Sequence, residues 1–338
     1  MNNRIVTVGI IGMGIGKRHA EAIVKTENAR LTWICDLDEE LLAGFKTEFN
    51  VPNTCTDYRD MLKDPELDCV IIGSPDQLHR EMTEEALSAG KHVLCEKPLA
   101  LTREDIEAIV AAAKKSDKKF MVGQVCRYTP GFLKAKELID AGEIGELTFV
   151  ESEYAHDYEK ILTGVHSWRQ DPLRYGVVGG GCHAVDLLRW IAGNPELISA
   201  FGTHKTFKDI TAIDDTHVAI MRFSNNVIGK VFCSISCRRN YTMRSVFYGT
   251  KGTIITDNTS PELTLFRMNE DGVSVAEQVP VEVNNHNMYG EFAEFYDIIV
   301  NDKPVRTTAM EGANTIAACL AIVESANTNM PVVPKYFD

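Results

Sequence analysis

Up to about residue 124 the chain alternates between two hydrophobic rhythms. Runs that are apolar at nearly every position, Arg4–Ile11, Leu31–Cys35, Cys69–Ile72, His92–Cys95 and Phe120–Gly123, alternate with stretches whose apolar residues recur at helical spacing. The latter are Lys17–Lys25, Asp38–Phe49, Gln77–Ala89 and Thr102–Ser116, with a short helical turn at Tyr58–Leu62. A strand that is apolar on both faces must be covered on both faces. Such strands between amphipathic helices therefore predict a doubly wound parallel sheet.

After Gln124 the rhythm changes. A helix over Pro130–Ala141 ends at Gly142 and is followed by Leu147–Tyr154, His217–Phe223, Val227–Ser236, Ser245–Tyr248, Thr253–Thr256 and Leu263–Phe266. Several of these are joined by short turns such as Ser224-Asn225-Asn226 and Thr250-Lys251-Gly252, as in an antiparallel sheet. Helices are expected at Ala184–Ala192, Gly290–Val300 and Gly312–Ala326. The pattern divides the chain into domains at 1–124 and 125–338.

Composition narrows the function. The 338 residues suffice for two ordinary cores, and 44% apolar with 25% charged residues is the balance of a soluble globular protein. The net charge of −13, with no basic stripe, argues against nucleic acid and anionic membrane as partners. Nine scattered cysteines without a Cys-x-x-Cys read as buried thiols in a reducing compartment, and no metal site is expected from them. The apolar N-terminal run is broken by glycines and lacks a signal-peptide cleavage pattern, and no stretch approaches the roughly 20 apolar residues of a membrane span. A cytoplasmic protein is expected.

Candidate chemistry begins at Gly12-Met13-Gly14-Ile15-Gly16, between the first strand and first helix. Glycines there permit a tight turn and close approach of backbone to a pyrophosphate at a helix N-terminus. The spacing departs from G-x-G-x-x-G, since Lys17 stands where the third glycine belongs. Asp36, closing the second strand, can accept hydrogen bonds from adenosine ribose hydroxyls and would repel a 2′-phosphate, which favours NAD over NADP. The alternative is that Asp36 or Asp38 only caps the next helix. Gly73-Ser74-Pro75, with His79 beyond, turns at the sheet edge where such folds bind ligands.

At Glu96-Lys97-Pro98 the chain resembles the glucose–fructose oxidoreductase/inositol dehydrogenase (Gfo/Idh/MocA) family. The matching pieces run along nearly the whole chain: Gly16-Lys17-Arg18-His19, Ser74-Pro75-Asp76 with His79, ALSAGKHVLCEKPLA, GQVCRYTPGF with Arg127, Tyr128 and Pro130, WRQDP at 168–172, GGGCHAVDLLRW at 179–190, and ESANTNMPV. The resemblance implies an N-terminal Rossmann domain and a C-terminal α/β domain with a large, mostly antiparallel open sheet, whose open face makes homodimers or homotetramers. It implies Lys97 and His183 as catalytic residues and Asp186 as a ligand of substrate hydroxyls. Gly179 is a departure, because the family usually has an aspartate there.

The expected activity is NAD(P)-dependent dehydrogenation of a CH–OH group in a sugar, sugar acid or cyclitol, with Lys97 and His183 handling the proton. Lysine can stabilise charge on oxygen and exchange a proton, and the ordinary histidine pKa is near working pH. Glu96 would hold the Lys97 ammonium or the cofactor, and Pro98 would fix the turn. Arg127 and His156 are further candidates for the substrate, and Trp168 and Arg169 for the cofactor. Two alternatives share these residues. In one, tightly held NAD serves transient oxidation in sugar elimination; in the other, the protein is a non-catalytic NAD-binding sensor.

Overall fold

The computed structural model describes residues 4–164 and 167–338. Two compact units result. The first contains the described residues up to Gln124 together with Met288–Ala313, and the second contains Val125–Asn287 and Asn314–Asp338.

In the first unit, β1 (Val6–Ile11), α1 (Met13–Lys25), β2 (Ala29–Cys35), α2 (Glu39–Glu48), β3 (Asn53–Cys55), α3 (Tyr58–Leu62), β4 (Cys69–Ile72), α4 (His79–Ser88), β5 (His92–Cys95), α5 (Arg103–Lys115) and β6 (Phe120–Val122) follow in order. The strands form one parallel sheet in the order β3-β2-β1-β4-β5-β6. Val8, Ile10, Val70, Ile71, Val93 and Leu94 are fully buried, as the unbroken apolar runs require. The strand order reverses between β1 and β4, where open sheets of this type bind ligands at their carboxyl ends.

The second unit carries α6 (Pro130–Asp140), β7 (Leu147–Ala155), α7 (Glu159–Thr163), the single turn α8 (Gly176–Gly179) and α9 (Cys182–Ala192). Then come β8 (Leu197–Thr203), β9 (Thr216–Arg222), β10 (Ile228–Ser234), β11 (Thr242–Gly249), β12 (Gly252–Asp257), β13 (Glu262–Met268) and β14 (Ser274–Pro280). Its eight strands run in the order β14-β13-β12-β11-β7-β10-β9-β8. All neighbours are antiparallel except β7 and β10, which pair in parallel at the centre. The architecture is α/β, a Rossmann sheet plus a large, mostly antiparallel sheet.

The chain then returns. Helix α10 (Met288–Val300) lies with the first unit, and α11 (Ala309–Thr328) begins there and continues in the second. The division into 1–124 and 125–338 therefore needs a correction: 288–313 belongs with the first unit. The Tyr296 hydroxyl donates to the Arg4 carbonyl at 3.0 Å, the Val122 N–H donates to the Thr307 carbonyl at 2.8 Å, and Gly312 packs against Val122. These long-range contacts leave no local pattern in sequence.

Candidate active site

Register brings the carboxyl ends of the parallel strands into line. Ile11 pairs with Cys35 and Ile72, and Ile72 with Cys95, so Gly12, Asp36, Gly73 and Glu96 leave the sheet at one edge. Gly12 has φ 88°, and a Cβ there would come within 2.7 Å of the Gly73 carbonyl and 2.8 Å of the Ser74 nitrogen. Only glycine fits. Gly16 lets α1 approach β1, because a Cβ would stand 2.7 Å from the Ile10 side chain. The helix begins at Met13, earlier than the Lys17 expected from periodicity, so Gly14, Ile15 and Gly16 form its first turns. The N-cap residue, Gly12, has no side chain to cap this N-terminus.

The Asp36 carboxylate accepts from the Met13 N–H at 2.7 Å and from the Asp38 N–H at 3.2 Å. The cap of α2 is Asp38, which accepts from the Leu41 N–H at 2.9 Å. Asp36 thus stands beside the glycine turn and is not the cap of the next helix. The glycine turn, the Ser74–Pro75 loop and Asp36 are the residues that could hold an NAD molecule: a glycine at the tight turn, a helix N-terminus and a carboxylate able to accept from ribose.

His79 has a different place from the one expected. Its ring is fully buried, with Nδ1 3.0 Å from the Pro98 carbonyl and Nε2 3.2 Å from the Ser74 carbonyl. Burial opposes a charge on the ring, but Cys95, Asp76 and the Ser74 carbonyl outweigh it and push its pKa up to about 10. It staples the Ser74–Pro75 loop to the turn after β5 and has no surface to offer a cofactor. Glu96 is buried behind the same turn. Its Oε1 lies 2.9 Å from His19 Nε2, and its Oε2 accepts the Lys97 N–H at 3.1 Å. Burial alone would raise this carboxyl; the His19 hydrogen bond and the His19 and Lys97 charges hold its pKa down at about 2. Lys97 itself is half-buried, and the Lys97–Pro98 peptide bond is cis.

In the second unit His183 is buried near the start of α9. The Tyr154 ring stacks on it at 6.2 Å between centroids, and the His286 ring lies 5.3 Å away. The Tyr154 and Tyr158 hydroxyls share a 2.6 Å hydrogen bond, and the Tyr241 hydroxyl lies 3.0 Å from His286 Nε2. His156 joins this group, 4.9 Å from the Tyr241 ring. Burial, then the Tyr158 and Tyr241 hydroxyls, raise the Tyr154 phenol well above its ordinary range. The cluster is rich in groups that can pass a proton or bind a hydroxyl. Sequence reasoning found His156 and His183 and missed the rest. The signal was the alternation Tyr154-x-His156-x-Tyr158 at the end of β7, which points all three side chains the same way.

Arg127 and Asp186 pair with each other. The Arg127 guanidinium donates to the two Asp186 oxygens at 2.8 and 2.7 Å, and Thr315 donates to the same carboxylate at 2.9 Å. Both residues are buried. The two side chains thus hold one another in the interior of the second unit. The Arg169 guanidinium lies over the Trp168 ring at 4.3 Å and that of Arg174 at 5.2 Å, so this pair forms part of a cationic stack. Two groups have donor atoms within 4.8 Å of one another, a spacing that could hold a cation: Cys126, His183 and His286, and His19, Glu96 and Glu291.

Residues 6–124 match the family described as "Oxidoreductase family, NAD-binding Rossmann fold", and residues 132–255 match the GFO/IDH/MocA C-terminal domain. A myo-inositol 2-dehydrogenase from Thermotoga maritima is 30% identical over 278 residues, covering 78% of this chain and 79% of the relative. The chain belongs to the Gfo/Idh/MocA family. It is an NAD-dependent oxidoreductase of that family. A levoglucosan dehydrogenase from Pseudarthrobacter phenanthrenivorans is 28% identical over 290 residues, covering 74% of this chain and 73% of the relative. A levoglucosan dehydrogenase structure in complex with NADH and levoglucosan superposes with a TM-score of 0.90 at 25% identity, covering 98% of this chain and all of the other.

At Gly179, Gly180 and Gly181 added side chains would meet three different neighbours. A Cβ at Gly179 would collide with the Arg174 guanidinium, which donates to the Gly179 carbonyl at 3.3 Å. At Gly180 a Cβ would meet the Tyr154 ring at 2.6 Å, and at Gly181 the Cys233 sulfur at 2.5 Å. The glycine run lets α8 and α9 press against the aromatic cluster.

Proposed function

We propose that the protein oxidises a secondary alcohol of a sugar, sugar acid or cyclitol, with Lys97 and His183 handling the hydroxyl proton. Bound NAD supplies the hydride-accepting ring. The single observation carrying the reading is the agreement between the strand-end cradle, built by Gly12, Ser74 and Asp36, and the lysine displayed on the same sheet edge. Lys97 stabilises negative charge developing on the substrate oxygen and takes up its proton. Backbone restraint by Glu96 holds the turn that carries it. His183 is the second proton-handling group, and Tyr154, stacked on it, fixes the plane of the imidazole.

His156 and Tyr241 are offered as hydroxyl ligands, a role that suits a polyhydroxy substrate. Asp36 selects NAD over NADP by repelling a 2′-phosphate. The curated relatives' substrates, inositol and levoglucosan, support this substrate class. The test is NADH formation by the purified protein with a panel of sugars, sugar acids and inositols, NADP run in parallel. NADH from at least one member is expected; none from any member, with NAD bound stoichiometrically, overturns the dehydrogenase reading.

Self-association through the eight-stranded sheet belongs to the same proposal. One face displays Phe201 (72% exposed), Ile220 (47%) and Ile228 (48%), flanked by the Lys230–Glu151 ion pair. A sedimentation mass of a single chain would contradict it. Among the described residues no helix is long and apolar enough to cross a membrane. All nine cysteines are free thiols, which fits the proposed cytoplasmic setting.

A further inference from the structure

Helix α10 carries Glu291 into the interior of the first unit. The side chain is fully buried, and neither carboxyl oxygen has a hydrogen-bond partner among the described residues. Its neighbours are His19 on α1 and Glu96 at the end of β5, with one donor atom of each within 4.8 Å of the others. Glu96 is well supplied, by His19 Nε2 at 2.9 Å and by the Lys97 N–H at 3.1 Å. The Lys97 ammonium acts on both carboxyls.

A buried carboxylate needs a countercharge or donors. Glu96 has both, while Glu291 shares only the one ammonium. Burial, then the charges of Glu96 and Glu294, raise the Glu291 carboxyl well above the ordinary range, and Lys97 only partly offsets them. Glu294, on the same helix, is itself paired with Arg306 at 2.8 Å. Of the two carboxyls, Glu291 is the one with no hydrogen bond to favour its charged form.

We propose that Glu291 is a positioning residue, a proton-bearing carboxyl beside Glu96 that leaves Glu96 as the single carboxylate holding the turn of Lys97. The proposal rests on the reading of Lys97 as the proton-handling lysine. Two ionised carboxyls this close and out of water would repel one another and disturb the turn that Glu96 holds through the Lys97 N–H, whereas one carboxylate and one carboxylic acid leave it in place. A divalent cation on the same three side chains would face the Lys97 ammonium acting on both carboxyls, so a proton is the better occupant.

Glu291→Gln keeps the shape and neutrality of the acid, and Glu291→Ala removes the group. The first readout is thermal unfolding against pH, which does not depend on activity. The native state holds a proton that the unfolded chain releases above a carboxyl pKa of about 4.3, so native stability falls as pH rises beyond that value. The Tm of Glu291→Gln relative to the wild type should therefore increase from pH 5 to pH 8. A difference independent of pH overturns the proposal, as does a metal ion that copurifies with the wild type and is absent from Glu291→Gln.

The second readout is turnover. Glu291→Gln should stay within about threefold of the wild type at pH 7 and lose any alkaline fall in kcat caused by Glu291 ionisation, while Glu291→Ala should lose about tenfold or more. Equal losses in both variants overturn the positioning role. Absence of dehydrogenase activity in the wild type would instead count against Lys97 chemistry, with the unfolding result standing by itself.

Discussion

Asp186 and Arg127 are legible in sequence as polar residues beside conspicuous motifs, but their chemistry is decided by each other. Both ends of the pair are buried and joined by two hydrogen bonds, with Thr315 completing the carboxylate. Removing one partner leaves an uncompensated buried charge. Arg127→Ala is expected to destabilise the protein by about 3–5 kcal/mol. The check is chemical denaturation beside steady-state kinetics: a fall in unfolding midpoint with KM little changed is expected, and a raised KM at unchanged stability would restore Arg127 to the substrate. The same limit explains why His79 looked like a cofactor ligand. Its position after Ser74-Pro75 was readable, but its carbonyl partners, two of them in a turn distant in sequence, were not.

The parallel sheet was legible at the level of elements because burial on both faces leaves unbroken apolar runs. Cys69–Ile72 and His92–Cys95 stand where the pattern put them. Three strands were missed for physical reasons. β3 has only three residues, all half-buried, and β14 is an edge strand with almost every side chain exposed. β8 reads Leu-Ile-Ser-Ala-Phe-Gly-Thr, and its small and polar residues dilute the alternation. The junction of β1 and α1 illustrates the reverse case, where three glycines marked the turn and the structure moved the helix start forward to Met13. Gly12→Ala would place a methyl against the Gly73–Ser74 backbone at positive φ. The backbone term alone costs about 1–2 kcal/mol. That strain falls on the free and bound protein alike; because the turn displaced by the methyl is the one placed against the cofactor, NAD affinity measured by fluorescence titration should fall about tenfold, and undiminished affinity would contradict the cradle.

For the whole molecule, family membership was the most legible feature, because its motifs are spread along the chain from Gly16 to the final helix. Least legible was the return of 288–313 to the first unit, which sets Glu291 beside Glu96. Contacts between residues so far apart in sequence have no periodicity to betray them. The central claim is that Lys97 performs the proton chemistry while the glycine turn and Asp36 hold NAD. The most direct test is Lys97→Ala, assayed for turnover with a substrate of the wild type and for NAD binding by titration. Turnover lowered by about 100-fold or more at unchanged NAD affinity is the expected result. Turnover near that of the wild type would contradict the account.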